Sequence, residues 1–278
     1  MNRRMTLIAV AFIWFALNAA GAAEKGAAEK GAAEKGAAEK GVDPGGHIQK
    51  AEEFASQGQF DPAIAEMTKA IEAKPTAKNY ANRGSVYRAA GKLPEAIGDY
   101  TKAIELTPTD AVPYFERGQT LLMHKEFDPA LADLDKAIEL RPTEAAFYRN
   151  RGLGDIGKSD FDRAIVDFSK AVELDPKDAV SYERRGYANR SLRKYNEAIA
   201  DYSKALELNP NDSETWARRG YTNTFLGQYE KAIADYEQAL KLNPNDIDTP
   251  QRLQYARAQL AMRNAPRPTP IAATPTPT

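Results

Sequence analysis

The feature that most restricts this sequence is that it repeats itself. The segments DPAIAEMTKAIEAKP, LPEAIGDYTKAIELTP, FDPALADLDKAIELRP, FDRAIVDFSKAVELDP, YNEAIADYSKALELNP and YEKAIADYEQALKLNP follow one another along the chain. Ala63, Ala96, Ala130, Ala164, Ala198 and Ala232 mark the register, at spacings of 33 and then, four times, 34 residues. A fixed period of this length means one supersecondary unit repeated, each copy burying what its neighbour cannot bury alone.

Each unit reads as two helices. The first carries an aromatic near its start (Tyr80, Tyr114, Tyr148, Tyr182, Trp216) and a glycine four residues on (Gly84, Gly118, Gly152, Gly186, Gly220), one turn away on the same face. Glycine costs about 1 kcal/mol relative to alanine inside a helix, so its recurrence implies a second helix approaching too closely for a side chain. The partner surface is the alanine series above together with Ala70, Ala103, Ala137, Ala171, Ala205 and Ala239. The second helix often opens on proline in its first turn (Pro62, Pro94, Pro129) and ends at Leu-x-Pro, where proline stops it (Pro108, Pro142, Pro176, Pro210, Pro244). Asp110, Asp178, Asp212 and Asp246 stand where the next helix needs an N-cap.

These residues resemble the tetratricopeptide repeat, whose aromatic, Gly, Ala, aromatic, Ala and Pro positions are met nearly in full by the units starting at 77, 111, 145, 179 and 213. A unit over 44–76 matches less well, with His47 at the aromatic position and Ala51 at the glycine position. The resemblance implies an all-α fold, a right-handed superhelical solenoid of six tandem helix-turn-helix units (44–76, 77–110, 111–144, 145–178, 179–212 and 213–246). Its first helices would line a concave groove. A further amphipathic helix over 247–264, with Thr249 as cap and Leu253, Ala256 and Leu260 on one stripe, would shield the end of the stack, leaving Arg252, Arg257 and Arg263 to water.

The flanks differ in kind. Residues 1–22 read as a secretory signal peptide: Arg3 and Arg4, an apolar run from Leu7 to Leu17, then Ala20-Gly21-Ala22 as the cleavage rule. That run is shorter than the roughly 20 residues a spanning helix needs, so no membrane span is expected after cleavage and the mature chain is expected to be periplasmic or secreted. Residues 23–43 form a GAAEK spacer whose five-residue period gathers no apolar stripe, and 265–278 a Pro/Thr-rich tail with no core of its own. With no cysteine, such an exported chain depends on packing for its stability. A formal net charge of −1 supplies no field to recruit nucleic acid, and none is expected as a partner.

One stretch imitates an enzyme. RGLGDIGKSDF, residues 151–161, satisfies both G-x-x-x-x-G-K-[ST] and G-x-G-x-x-G. A phosphate-binding loop needs a buried strand before its glycines and a helix start after them, whereas EAAFYRNR is a helical stretch in register with its siblings. His47 and His124 have no metal-ligand spacing, so no catalytic site, metal or cofactor is expected. Gly154 and Gly157 are not required by the repeat, and residues 153–158 are expected to be its weakest helical segment. Asp99/Lys102, Asp167/Lys170 and Asp201/Lys204 read as solvated i,i+3 pairs. Arg83, Arg117, Arg151, Arg185 and Arg219, each preceding a repeat glycine, read as structural, with heads paired to helix carboxylates.

What remains is the groove. The family's geometry turns Phe115, Gln119, Leu122, Arg149, Glu183, Tyr187, Arg190, Tyr221 and Phe225 toward it, a mixture suited to apolar anchors and the oxygens of a peptide. Some relatives clamp a terminal carboxylate there; Asn150 and Arg184 match two of the clamp positions, while Val180 and Gln119 replace the Lys and Asn of the others. The expected function is therefore a scaffold that binds a protein or peptide in the groove. A structural envelope or assembly factor acting through the convex or end surfaces is the alternative, and nucleotide binding through 152–159 the remote one.

Overall fold

In a computed structural model of the chain, residues 44–265 are described; residues 1–22 (expected from the sequence to be a signal peptide), the GAAEK spacer and all of the tail after residue 265 lie outside them. Thirteen α-helices and no strand occur among the described residues, in two compact units divided between Thr143 and Glu144. The first unit holds α1 (Pro44–Ser56), α2 (Phe60–Ala73), α3 (Ala77–Ala89), α4 (Leu93–Leu106), α5 (Ala111–Met123) and α6 (Phe127–Leu140). The second holds α7 (Ala145–Gly157), α8 (Phe161–Leu174), α9 (Ala179–Ser191), α10 (Tyr195–Leu208), α11 (Ser213–Phe225), α12 (Tyr229–Leu242) and α13 (Thr249–Asn264). Within each unit every helix packs on the next, the two helices of a repeat most extensively. Among the described residues no helix is long and apolar enough to cross a membrane.

The glycines explain why the pairs are tight. A Cβ added at Gly84, Gly118, Gly152 or Gly220 would lie 3.0 Å from the ring or branch of Tyr100, Leu134, Phe168 or Tyr236, and at Gly186 it would lie 2.9 Å from Tyr202. Those five side chains from the second helices are buried in the seams that the glycines open. The alanines at the register positions are also buried, so the helices of a pair meet almost backbone to backbone.

An arginine locks each of five pairs. Arg83, Arg117, Arg151, Arg185 and Arg219 donate as forks to Asp99, Asp133, Asp167, Asp201 and Asp235, at 2.6 to 3.1 Å. Bidentate geometry of this kind satisfies carboxylates that burial would otherwise penalise. Four of the five arginines also reach the hydroxyl of the preceding second helix: Thr68, Thr101, Ser169 and Ser203. The structure thus corrects the reading of Asp99, Asp167 and Asp201 as solvated partners of lysines. They are buried, and the lysines pair instead with Glu105, Glu173 and Glu207, three residues on.

The ends of the helices follow the sequence signals, with one exception. Asp110, Asp178 and Asp212 accept from backbone N–H groups at the starts of α5, α9 and α11. At α13 the N-cap is Asp248 rather than Thr249, because Asp246 already accepts from the N–H groups of Asp248 and Thr249 and from the Thr249 hydroxyl. α13 packs Leu253 and Ala256 against Ala232 and Tyr236, closing the apolar face of the last pair. The turn inside each pair needs one left-handed residue, supplied by Gly58, Gly91 and Gly227 but also by Lys125, Ser159 and Arg193.

Candidate functional site

The stretch that imitates a nucleotide loop sits at the wrong end of a helix. Gly152 packs against Phe168, Lys158 is the C-cap of α7, and Ser159 takes the left-handed turn at φ 63°. The Lys158 and Ser159 N–H groups donate to carbonyls of α7 at 2.9 to 3.1 Å, and a helix C-terminus presents carbonyl oxygen, which repels phosphate.

The same stretch holds an unusual carboxyl. Asp155 is 1% exposed, and neither carboxylate oxygen has a hydrogen-bond partner. Burial pushes it up to about 6; Arg163, whose Nε lies 3.8 Å away, opposes this, and the neighbouring Asp167 and Asp160 add to it. In the next two repeats the corresponding residues are Asn189 and Asn223, whose amides donate to Asp201 and Asp235 at 2.9 Å.

Three of the groove candidates belong to the first unit. Phe115 is 8% exposed and lies in the interior, where removing a phenyl ring from water contributes about 2 kcal/mol. Gln119 accepts from Arg88 at 2.9 Å, while the Arg88 guanidinium also pairs with buried Glu116 at 2.6 Å. Leu122 is half-buried on α5.

The other eight lie in the second unit and divide in two. Arg149 donates to Asp178 at 2.8 Å, and buried Asn150 donates to the Ala146 carbonyl at 2.8 Å. Glu183 is buried between Arg184 at 3.0 Å and Arg218 at 3.2 Å; burial raises its carboxyl above the ordinary value and the two arginines oppose that. The two positions that match the carboxylate clamp therefore have internal roles: Asn150 ties its own helix and Arg184 pairs with its chain neighbour.

Tyr187, Arg190, Tyr221 and Phe225 are brought together on α9 and α11. The Arg190 guanidinium lies 5.3 Å from the ring centres of both Tyr187 and Tyr221. Tyr221 meets Phe225 edge-on at 4.9 Å, and Phe225, 53% exposed, stacks on Tyr195 at 5.2 Å. Arg218 lies 5.5 Å from the Tyr187 ring and Arg252 lies 5.1 Å from the Tyr221 ring, making a run of alternating cations and aromatics. Beside the run a cavity of about 550 Å³ is lined by Tyr221, Thr224, Phe225, Arg252 and Tyr255, among others.

Sequence reasoning missed the contribution of α13 to this site. Arg252 does not simply face water but lies over Tyr221, and Tyr255, 53% exposed, forms a wall of the cavity. The signal was available: residues 252 and 255 are three apart and flank the Leu253/Ala256 stripe.

Models of the tetratricopeptide repeat match residues 179–212 and 213–246, a TPR repeat model matches 84–125, and a further tetratricopeptide repeat model matches 46–76. No curated protein sequence matches the chain. Among solved structures, the chain is similar to the APC/C hetero-tetramer Cut9-Hcn1, at 21% identity and a TM-score of 0.63 over 76% of this chain and 42% of that one. It thus spans less than half the length of that relative. Pseudomonas aeruginosa pilF is similar at 19% identity and a TM-score of 0.65, covering 78% of this chain and 97% of that one. YrrB, described as a TPR protein with an unusual peptide-binding site, is similar at 21% identity and a TM-score of 0.57, covering 69% and 97%. These likenesses show the fold.

Proposed function

The chain belongs to the tetratricopeptide repeat family, whose fold serves generally as a scaffold for protein contacts, and we propose that it binds a peptide segment of a partner on the face formed by α9, α11 and α13. The observation that supports this reading is the cluster of Tyr187, Arg190, Tyr221 and Phe225 beside the aromatic-walled cavity. Aromatics with arginine are the side chains that most often anchor an interface, and here, with Phe225 exposed and Tyr187 and Tyr221 half-buried, they are held by mutual stacking rather than left to reorganise on binding. One solved protein of this fold is described as having a peptide-binding site; for this chain the proposal rests on its own residues. The reading includes no chemistry performed on the partner.

The test is calorimetric titration of the protein with peptides selected against it from a random library. Tyr221→Ala and Phe225→Ala are each expected to weaken binding about 10- to 100-fold. Unchanged affinity in both variants would move the contact to the convex or end surfaces.

We further propose that the chain acts outside the cytoplasm, on the strength of the basic, apolar and small-residue succession in residues 1–22. N-terminal sequencing of the protein from a bacterial host is expected to begin at Ala23. An intact Met1 on soluble cytoplasmic protein would overturn this.

A further inference from the structure

Two arginines at the same place in the repeat meet opposite surroundings. Arg88 on α3 finds Glu116 and Gln119 on the next first helix, the first as an ion-pair partner of its guanidinium and the second as a hydrogen-bond acceptor from it. Arg190 stands three repeats later, and the residues at the places of Glu116 and Gln119 are Arg218 and Tyr221. Among the described residues the Arg190 guanidinium has no hydrogen bond and no carboxylate partner; it lies over the rings of Tyr187 and Tyr221. Aromatic rings interact with the guanidinium through their faces and accept none of its five N–H donors, which lie in its plane.

A second unmet polar group lies in the same place. The Tyr202 hydroxyl is buried and has no hydrogen-bond partner; burial pushes its ionisation up, and the charges of Arg190 and Arg218 oppose that. In other repeats this hydroxyl is tied to a first-helix side chain, Tyr100 to Ser85 at 3.0 Å and Tyr236 to Thr224 at 3.3 Å. In the fifth repeat the places of those two residues are taken by Tyr187 and Arg190, which are stacked on each other instead.

The neighbouring arginines are already compensated, Arg218 by Glu183 and Glu214 and Arg252 by Asp248. The cluster therefore carries one uncompensated positive charge with a planar fork, and Tyr221, which that fork overlies, also lines a cavity walled largely by aromatic rings. A single carboxylate fits that charge and that fork, and the cavity walls of Phe225 and Tyr255 suit an apolar neighbour. We infer that Arg190 is a recognition point for the side-chain carboxylate of an acidic peptide, with an adjacent apolar residue of the same peptide entering the cavity beside Tyr221. This rests on the peptide-binding reading above and gives it a sequence preference. It is distinct from a terminal-carboxylate clamp, whose candidate residues are engaged internally.

The test pans a random dodecamer library, displayed by its C-terminal end so that side chains supply its only free carboxylates, against the full chain and against Arg190→Gln. The wild type is expected to enrich Asp or Glu within two residues of an aromatic or aliphatic residue, and Arg190→Gln to lose the acidic preference. A selected peptide remade with Gln for its acid should lose about tenfold or more in affinity for the wild type and less than about twofold for Arg190→Gln. Circular dichroism of the variant checks that it folds, and Arg190→Lys, which keeps the charge without the fork, should recover only part of the loss. Peptides that bind without acidic enrichment would overturn the inference and leave the groove reading standing. An absence of any enriched peptide would overturn both.

Discussion

The fourth repeat and the two that follow it share one internal lock and differ in the residue that completes it. In the fifth and sixth repeats the buried aspartate takes an arginine fork and an asparagine amide; in the fourth, Asp167 takes the fork of Arg151 and faces Asp155. An amide there is a ready donor, whereas a carboxyl becomes one only by keeping its proton. The fold tolerates the exchange because the arginine supplies most of the compensation, so the difference between repeats becomes one of pH rather than of architecture.

Removing the arginine should expose that difference most strongly. Arg185→Ala is expected to cost about 3 kcal/mol, since Asp201 keeps the Asn189 amide, while Arg151→Ala should approach about 5 kcal/mol by leaving two carboxyls together. Urea denaturation at pH 8 measures both, and equal losses would mean the third residue has no energetic role.

The next effect is smaller and pH-dependent. Asp155 ionises near pH 4 in the unfolded chain and near 6 when folded, so the folded state holds the proton more tightly. Its favourable contribution is full below about pH 4 and is lost as pH rises through about 6. Asp155→Asn should therefore leave stability nearly unchanged at pH 4 and raise it by up to about 3 kcal/mol at pH 8. Thermal melts across that range would show a flat difference if Asp155 titrated normally. The reciprocal Asn189→Asp should import the same pH dependence into the fifth repeat, with a loss at pH 8 of about 1 to 2 kcal/mol.

Two finer measurements bear on the same stretch. Amides over residues 153–158 are expected to exchange faster than those over 187–192, and Asp155→Asn should narrow the gap; equal protection in the wild type would contradict a weakened fourth repeat. Ser159→Gly, which relieves a left-handed residue at φ 63°, should raise stability by about 0.5 kcal/mol, less than Asp155→Asn.

The repeat made the helix pairs legible because glycine and alanine are informative where backbones meet. Gly84 and its equivalents could be read as close approaches before the facing side chain was known, and the seams opposite Tyr100, Phe168, Tyr202 and Tyr236 agree. The five arginines were legible as structural, but the identity of their partners was not. Asp99 and Lys102 are spaced like a surface pair, and nothing in that spacing reveals that a guanidinium from another helix claims the aspartate. The candidate face was legible less well for the same reason. Tyr187, Arg190, Tyr221 and Phe225 converge, whereas Phe115, Asn150 and Glu183 lie in the interior and Arg149 and Arg184 have internal carboxylate partners. Helical register fixes the side of the helix, but whether a charge is free depends on the residues one repeat away.

The arginine locks grip unequally on their two sides. Inside a pair, Arg83, Arg117, Arg185 and Arg219 hold a carboxylate with a charged fork; toward the preceding pair each holds a single neutral hydroxyl. Within each unit this makes a train of stiff cars joined by softer couplings. Pulled from its ends, such a train should part at the couplings, releasing helices two at a time, and the force–extension trace should be a staircase with steps about one repeat in length.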